Sequence, residues 1–213
     1  MTARISVPEP KAAPAGSQAA LAQIQAAFGG VPQMFRAVSN SPAALQSMWA
    51  AFGALGAGVI PAKLGEQIAV AVADRNRCDY CLAAHTALGR KAGATAEEMT
   101  AAQSGQSHDP KTAAALAFAL NLVEARGQVS GADVAGLREV GFNDGEIVEI
   151  VAHVALNLFT NYINVALAVP VDFPAVSVRI RRGWRQVPGA CRSGWPQPPP
   201  WPVRGLPRRP VPA

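Results

Sequence analysis

Apolar residues recur along this chain at helical intervals, most plainly at Ile147, Ile150, Val151 and Val154 after the polar start Asn143-Asp144-Gly145-Glu146. No stretch alternates apolar and polar residues over β-branched positions, so no sheet is expected and the fold class is all-α. Between the apolar runs, start and stop residues set the helix limits. Ser17 is placed to cap a helix that stops at Gly29-Gly30, and a short helical piece follows Pro32. Ser41-Pro42 opens a helix to about Gly56, with proline at the position where its missing N–H costs nothing. Pro61 opens one to about Arg75, and another begins near Cys78 and ends at Gly93, where glycine can turn left-handed. Thr95-Ala96-Glu97-Glu98 is a capping box. Asp109-Pro110 starts a helix reaching Arg126-Gly127, and Ser130 caps a short one to about Val140.

The apolar stretch from Ile147 to Val171 is long enough to raise the question of a membrane span. His153, Asn157, Asn161 and Asn164 interrupt it, each costly in hydrocarbon, so a buried core helix is expected and no membrane partner. The periodicity fails at both ends. Residues 1–16 are rich in Pro and Ala, without the continuous apolar run of a signal peptide, and read as a flexible N-terminal arm before a helical domain over 17–174. Beyond Pro174 lie nine of the 18 prolines and three of the four tryptophans, so 175–213 is expected to be a disordered tail. It could serve as an arginine- and tryptophan-bearing arm for an acidic partner or a membrane surface, but a solvated extension is the simpler reading.

Charge alters the picture only when it is divided along the chain. The net +5 of the whole hides a body, residues 1–174, with 11 Lys and Arg against 14 acids, and a tail with eight Arg and no acid. The basic character belongs to the tail, and no nucleic-acid partner is expected from it. Three cysteines in 213 residues, two of them in one CxxC, are no extracellular disulfide framework. A reducing, cytoplasmic setting is expected.

The segment from Glu66 to His85 carries the chemistry. With a helix starting near Cys78, Cys78, Cys81 and His85 fall at i, i+3 and i+7 and share one face. Free N–H groups of the first turn and the positive end of the helix stabilise a thiolate, the reactive form of cysteine. His85, one turn beyond Cys81, is placed to take its proton. Glu66, twelve residues before Cys78 on the preceding helix, could reach the same pocket through an antiparallel hairpin and fix the imidazole tautomer. Two duller readings stand beside this one: half of a zinc site completed by His85, His108, His153 or Cys191, or two buried inert thiols. His153, on a strongly apolar face, reads as a hydrogen-bonded core histidine. Tyr80 lines or covers the pocket, and His108 is a loop residue.

The spacing from Glu66 to Cys78-Asp-Tyr-Cys81-Leu-Ala-Ala-His85, followed by Thr86-Ala-Leu-Gly-Arg-Lys-Ala-Gly93, resembles the AhpD-like core of the carboxymuconolactone decarboxylase superfamily. Phe28-Gly-Gly-Val-Pro-Gln-Met-Phe35, Asn40-Ser-Pro-Ala-Ala-Leu45, Asp109-Pro-Lys, Glu146-Ile-Val-Glu-Ile-Val-Ala-His153 and Asn161-Tyr-Ile-Asn164 through Asp172-Phe-Pro174 resemble its peroxidase-related branch, over roughly residues 25 to 174. The resemblance implies an all-helical trimer or hexamer that reduces small alkyl hydroperoxides through a CxxC dithiol cycle, without metal, flavin or other cofactor. A dithiol or protein thiol would return the electrons. It implies Cys81 as the peroxide-attacking sulfur, Cys78 as the sulfur that exchanges with the reductant, and Glu66 and His85 as proton relay. Helix-dipole reasoning alone favours Cys78 as the attacker. Competing readings are a general thiol–disulfide oxidoreductase or redox sensor, and a non-enzymatic oligomeric scaffold that docks a partner thiol. The family's decarboxylases do not use a CxxC pair, so the superfamily's name does not transfer as a reaction. Three departures are visible: Val165 stands where the family usually has His, Gly65 where this branch is usually basic, and the chain runs on past Asp172-Phe-Pro174. The run-on leads us to expect that 175–213 arises from a frameshift or read-through.

Overall fold

The computed structural model describes residues 2–179, which carry nine α-helices and no strand. In chain order these are α1 (Gln18–Phe28), α2 (Gln33–Val38), α3 (Pro42–Gly56), α4 (Ala62–Arg75), α5 (Asp79–Lys91), α6 (Ala96–Gln103), α7 (Pro110–Glu124), α8 (Gly131–Glu139) and α9 (Asp144–Leu167). Most begin where a side chain can satisfy a free N–H. Ser41 accepts from Ala44 N and Asp109 from Thr112 N, while Thr95 with Glu98, Ser130 with Asp133 and Asn143 with Glu146 close reciprocal capping boxes. Gly29 (φ 75°) and Gly93 (φ 91°) take the left-handed conformation that ends a helix. Ser17 differs from expectation. It stands before α1 but makes no side-chain cap, because its buried hydroxyl donates to the Ser39 carbonyl instead.

Helix α4 is the centre of the molecule and packs against α5, α6, α7 and α9. Everything on it from Gln67 to Asp74 is buried. Alanines at 69, 71 and 73 let neighbouring helices approach closely, while Ile68, Val70 and Val72 fill the gaps between them. Two apolar clusters meet along it. One gathers Ile24, Phe35, Leu45, Met48 and Leu82 with Val70, and the other gathers Leu116, Leu137, Ile150 and Val154 with Ile68 and Val72. Each such fully buried side chain contributes roughly 1.5–3 kcal/mol relative to exposure.

The long helix α9 is half-buried rather than a fully buried core element. By length and composition alone it could cross a membrane, with a third of its most apolar window (33%) buried in the protein. Its inward face carries Ile147, Ile150 and Val154, then Asn157, Thr160, Asn161 and Asn164; Val148, Val151, Phe159, Tyr162 and Val165 are exposed on the other.

Both ends of the described chain are tied to the helices. In the segment expected as a flexible arm, Arg4 N donates to Leu167 O at 2.8 Å, Arg36 reaches Pro8 O and Glu9, and Asn40 donates to Ser6 O. Residues 175–179 form no helix and lie against α4 and α6. Gln103 donates to Ser177 O, Arg179 N donates to the buried Asp74 carboxylate, and Val176 and Val178 pack on the core. Backbone partners and two apolar side chains hold this stretch where proline content alone suggested disorder. The rest of the expected tail, with Cys191, lies outside the described residues.

Candidate active site

The path from α4 to α5 sets the site. After Asn76, Arg77 turns left-handed (φ 54°), with Arg77 N bonded to Asp74 O and Cys78 N to Ala73 O, so α4 stops abruptly and Cys78 becomes the N-cap of α5. Asn76 Nδ2 donates to Asn161 Oδ1 at 2.9 Å, pinning the turn to α9. Cys78 Sγ then accepts the backbone N–H of Cys81 at 3.3 Å, as a capping hydroxyl would.

One turn on, Cys81 is 2% exposed and its sulfur accepts from Asn164 Nδ2 at 3.1 Å. One further turn brings His85, whose Nδ1 meets Glu66 Oε2 of α4 at 2.7 Å. Glu66 therefore claims Nδ1–H and leaves Nε2 as the titrating nitrogen. All four residues singled out from the sequence, Cys78, Cys81, His85 and Glu66, are brought together by the antiparallel packing of α4 on α5.

The electrostatics separate the two thiols. Burial pushes the Cys81 thiol up. The Cys78 hydrogen bond, the positive charge of His85 and the hydrogen bond from Asn164 outweigh it and hold Cys81 down at about 7. The side-chain hydrogen bond to Cys81, then burial, push Cys78 far above the ordinary thiol range. Burial works against the His85 imidazolium, but the Glu66 carboxylate beside it raises its pKa above the usual value. The result is a protonated Cys78, an ionisable Cys81 and an imidazole held ready to share the charge.

Cys81 and His85 border a cavity of about 40 Å³ walled by Phe28, Phe35, Phe52, Tyr80 and Phe173. Tyr80 OH accepts from Met34 N at 3.2 Å, and its ring meets Phe173 edge-on, so it both lines the cavity and covers it. Burial raises the Tyr80 phenol well above its usual value.

Sequence reasoning passed over Asn164 as a thiol partner and Asn161 as the anchor of the turn at Asn76. The available signal was their i, i+3 repeat on an apolar helix, since a buried amide needs a partner. His153 also differs from expectation. It packs on Gly65, where an added Cβ would stand 3.2 Å from the imidazole Cε1, and its buried Nε2 has no hydrogen-bond partner. Burial lowers its pKa. The ring occupies the space a side chain at position 65 would need. His108 lies in the turn before α7 and lines a separate cleft that shares no wall residue with the Cys81 cavity. Among the described residues, no group of three or more His, Cys, Asp or Glu side chains is arranged to hold a metal ion.

The sequence profile of the carboxymuconolactone decarboxylase family matches residues 42–125, from α3 through α7. No curated protein matches the chain. Among solved structures, an AhpD-core, peroxidase-related protein of Ralstonia eutropha JMP134 is similar over 80% of this chain and 92% of its own, at 27% identity and a TM-score of 0.73. A peroxidase-related protein of Silicibacter sp. TM1040 is similar over 79% and 91%, at 26% identity and a TM-score of 0.69. The debrominase Bmp8, solved with 2,3,4-tribromopyrrole, shares the fold over 74% and 86% at 19% identity and a TM-score of 0.64.

Proposed function

We propose that the chain, whose residues 42–125 match the carboxymuconolactone decarboxylase family profile and whose fold is similar to AhpD-core, peroxidase-related proteins, is an AhpD-like, cysteine-based peroxidase for small hydroperoxides. The observation that carries the reading is the convergence on one sulfur. Cys81 receives an amide N–H from Asn164 at 3.1 Å and sits beside the imidazole that Glu66 holds at 2.7 Å. Such surroundings favour a thiolate near neutral pH, and the thiolate is the form that attacks peroxide.

In the proposed cycle, Cys81 gives its proton to His85 Nε2 and its sulfur attacks one oxygen of the hydroperoxide. The O–O bond breaks, Cys81 becomes a sulfenic acid, and the departing alkoxide takes the proton from His85 and leaves as an alcohol. Cys78 then attacks the sulfenic sulfur, water departs with the Cys78 proton, and the Cys78–Cys81 disulfide forms. A dithiol reduces it by exchange. The cavity of about 40 Å³, well below the roughly 300–1,000 Å³ of drug-sized ligand sites, supports a small substrate. Its aromatic walls favour an alkyl group over a charged one.

The test is stoichiometric. Reduced protein mixed with one equivalent of hydrogen peroxide or tert-butyl hydroperoxide should lose both CxxC thiols, and with a dithiol in excess it should consume many equivalents. Thiols that survive an equivalent of either peroxide would remove the reading.

A further inference from the structure

A second cavity, of about 480 Å³, shares only Tyr80 with the aromatic one. Cys78 is in its wall, where the smaller cavity has Cys81 and His85. Its remaining wall includes Arg4, Arg77 and Asp79 with the exposed Val165 and Val171. Two cations therefore face one carboxylate. Arg4 is committed to the end of α9, donating to Ala166 O at 2.9 Å, but the Arg77 side chain has no hydrogen-bond or ion-pair partner among the described residues. Arg77 also stands at φ 54°, a conformation for which glycine is the default.

We propose that this cleft is the docking site of the reductant, a small dithiol that carries carboxylate groups, with Arg77 holding a carboxylate beside Cys78. This rests on the peroxidase reading for the disulfide it reduces. The volume lies in the range of small-molecule sites, and an unpaired guanidinium is suited to a carboxylate. The direction of exchange follows from the two sulfurs. The reductant thiolate attacks Cys78 Sγ, the S–S bond breaks, and Cys81 leaves as the thiolate that Asn164 and His85 stabilise, because the more stable thiolate leaves faster. A second reductant thiolate, from another molecule where the two thiols sit on adjacent carbons as in dimercaptosuccinate, then attacks the reductant sulfur of the mixed disulfide and releases Cys78, which takes up a proton. Two electrons pass to the protein, and the reductant departs as a cyclic or oligomeric disulfide. Peroxide thus enters on the Cys81 side and reductant on the Cys78 side.

The experiment compares meso-2,3-dimercaptosuccinate with uncharged dithiothreitol in reducing the Cys78–Cys81 disulfide. The disulfide is formed with diamide, so the result stands apart from any reaction with peroxide. Arg77→Gly removes the charge at a position whose backbone suits glycine, and Arg77→Lys restores it. The ratio of the two rate constants should fall about three- to tenfold in Arg77→Gly and recover in Arg77→Lys. Added salt should erode the ratio in the wild-type protein more than in Arg77→Gly. A ratio identical in wild type and Arg77→Gly, or Arg77→Lys no better than Arg77→Gly, would overturn the assignment.

Discussion

Two residues separate Cys78 from Cys81, yet their surroundings share little. Cys81 looks into a narrow cavity of aromatic rings and receives the Asn164 amide at 3.1 Å, with His85 and its Glu66 partner one turn away. Cys78 caps the helix, accepts the Cys81 N–H at 3.3 Å and borders a wide cleft edged by Arg4 and Arg77. The N-terminal turn of α5, which by itself favours a thiolate at Cys78, is offset by the hydrogen bond that Cys78 donates to its neighbour and by burial. Reactivity is thus divided by what reaches each sulfur from α4 and α9, and the CxxC spacing only makes the division possible.

Removing the sulfurs one at a time breaks the comparison most severely. Cys81→Ser should reduce peroxide consumption to the uncatalysed background. Cys78→Ser should still react once, leaving a sulfenic acid at Cys81 that dimedone traps and mass spectrometry reads, with no disulfide. Equal losses of that first step in both variants would erase the distinction between the thiols.

The imidazole gives the next largest effect. Cys81 is held near 7, below the ordinary thiol value, so its reactivity is present above that pH and falls about tenfold per unit as pH drops below it. His85→Ala should move the midpoint of iodoacetamide alkylation upward toward the ordinary range near 8.5, slowing the reaction roughly ten- to thirtyfold at pH 6.5. Glu66→Gln keeps a partner for Nδ1 but removes the charge that raises His85, so it should shift the midpoint the same way by a smaller amount. A midpoint unmoved by either change would separate His85 from the sulfur.

The side of this site that comes from local sequence was legible. Cap and proline signals placed α3 to α7 within a residue or two, because those interactions lie three residues apart in the chain. The i, i+3, i+7 spacing put both sulfurs and the imidazole on one face, and the short α4–α5 connection made the Glu66 contact accessible to reasoning. Asn164 lies 83 residues from Cys81, and only the crossing of α9 over α5 joins them. Ser17 failed for the same reason in reverse: a partner 22 residues away outcompeted the local cap. The contacts of residues 175–179 were equally out of reach, because extended chain can be held by partners such as Asp74 and Gln103 that no local pattern announces.

Asn164 offers the finest adjustment of the comparison, and its two amide atoms pull in opposite directions. Nδ2 donates to Cys81, whereas Oδ1 is buried without a partner. Asn164→Leu keeps much of the volume and removes both. The lost hydrogen bond costs about 0.5–1.5 kcal/mol, and deleting an unsatisfied acceptor returns about 1–3 kcal/mol, so the stability change in urea should lie between a loss of about 0.5 and a gain of about 2.5 kcal/mol. The thiol loses one of its stabilising donors, so its midpoint should rise by less than in His85→Ala, because imidazolium charge outweighs a neutral amide. Asn164→Asp removes the donor and places a carboxylate against the same sulfur, so it should raise the midpoint further than leucine does. If leucine and aspartate leave the alkylation profile where the wild-type protein has it, the Cys81 thiolate owes nothing to α9, and His85 alone distinguishes the two sulfurs.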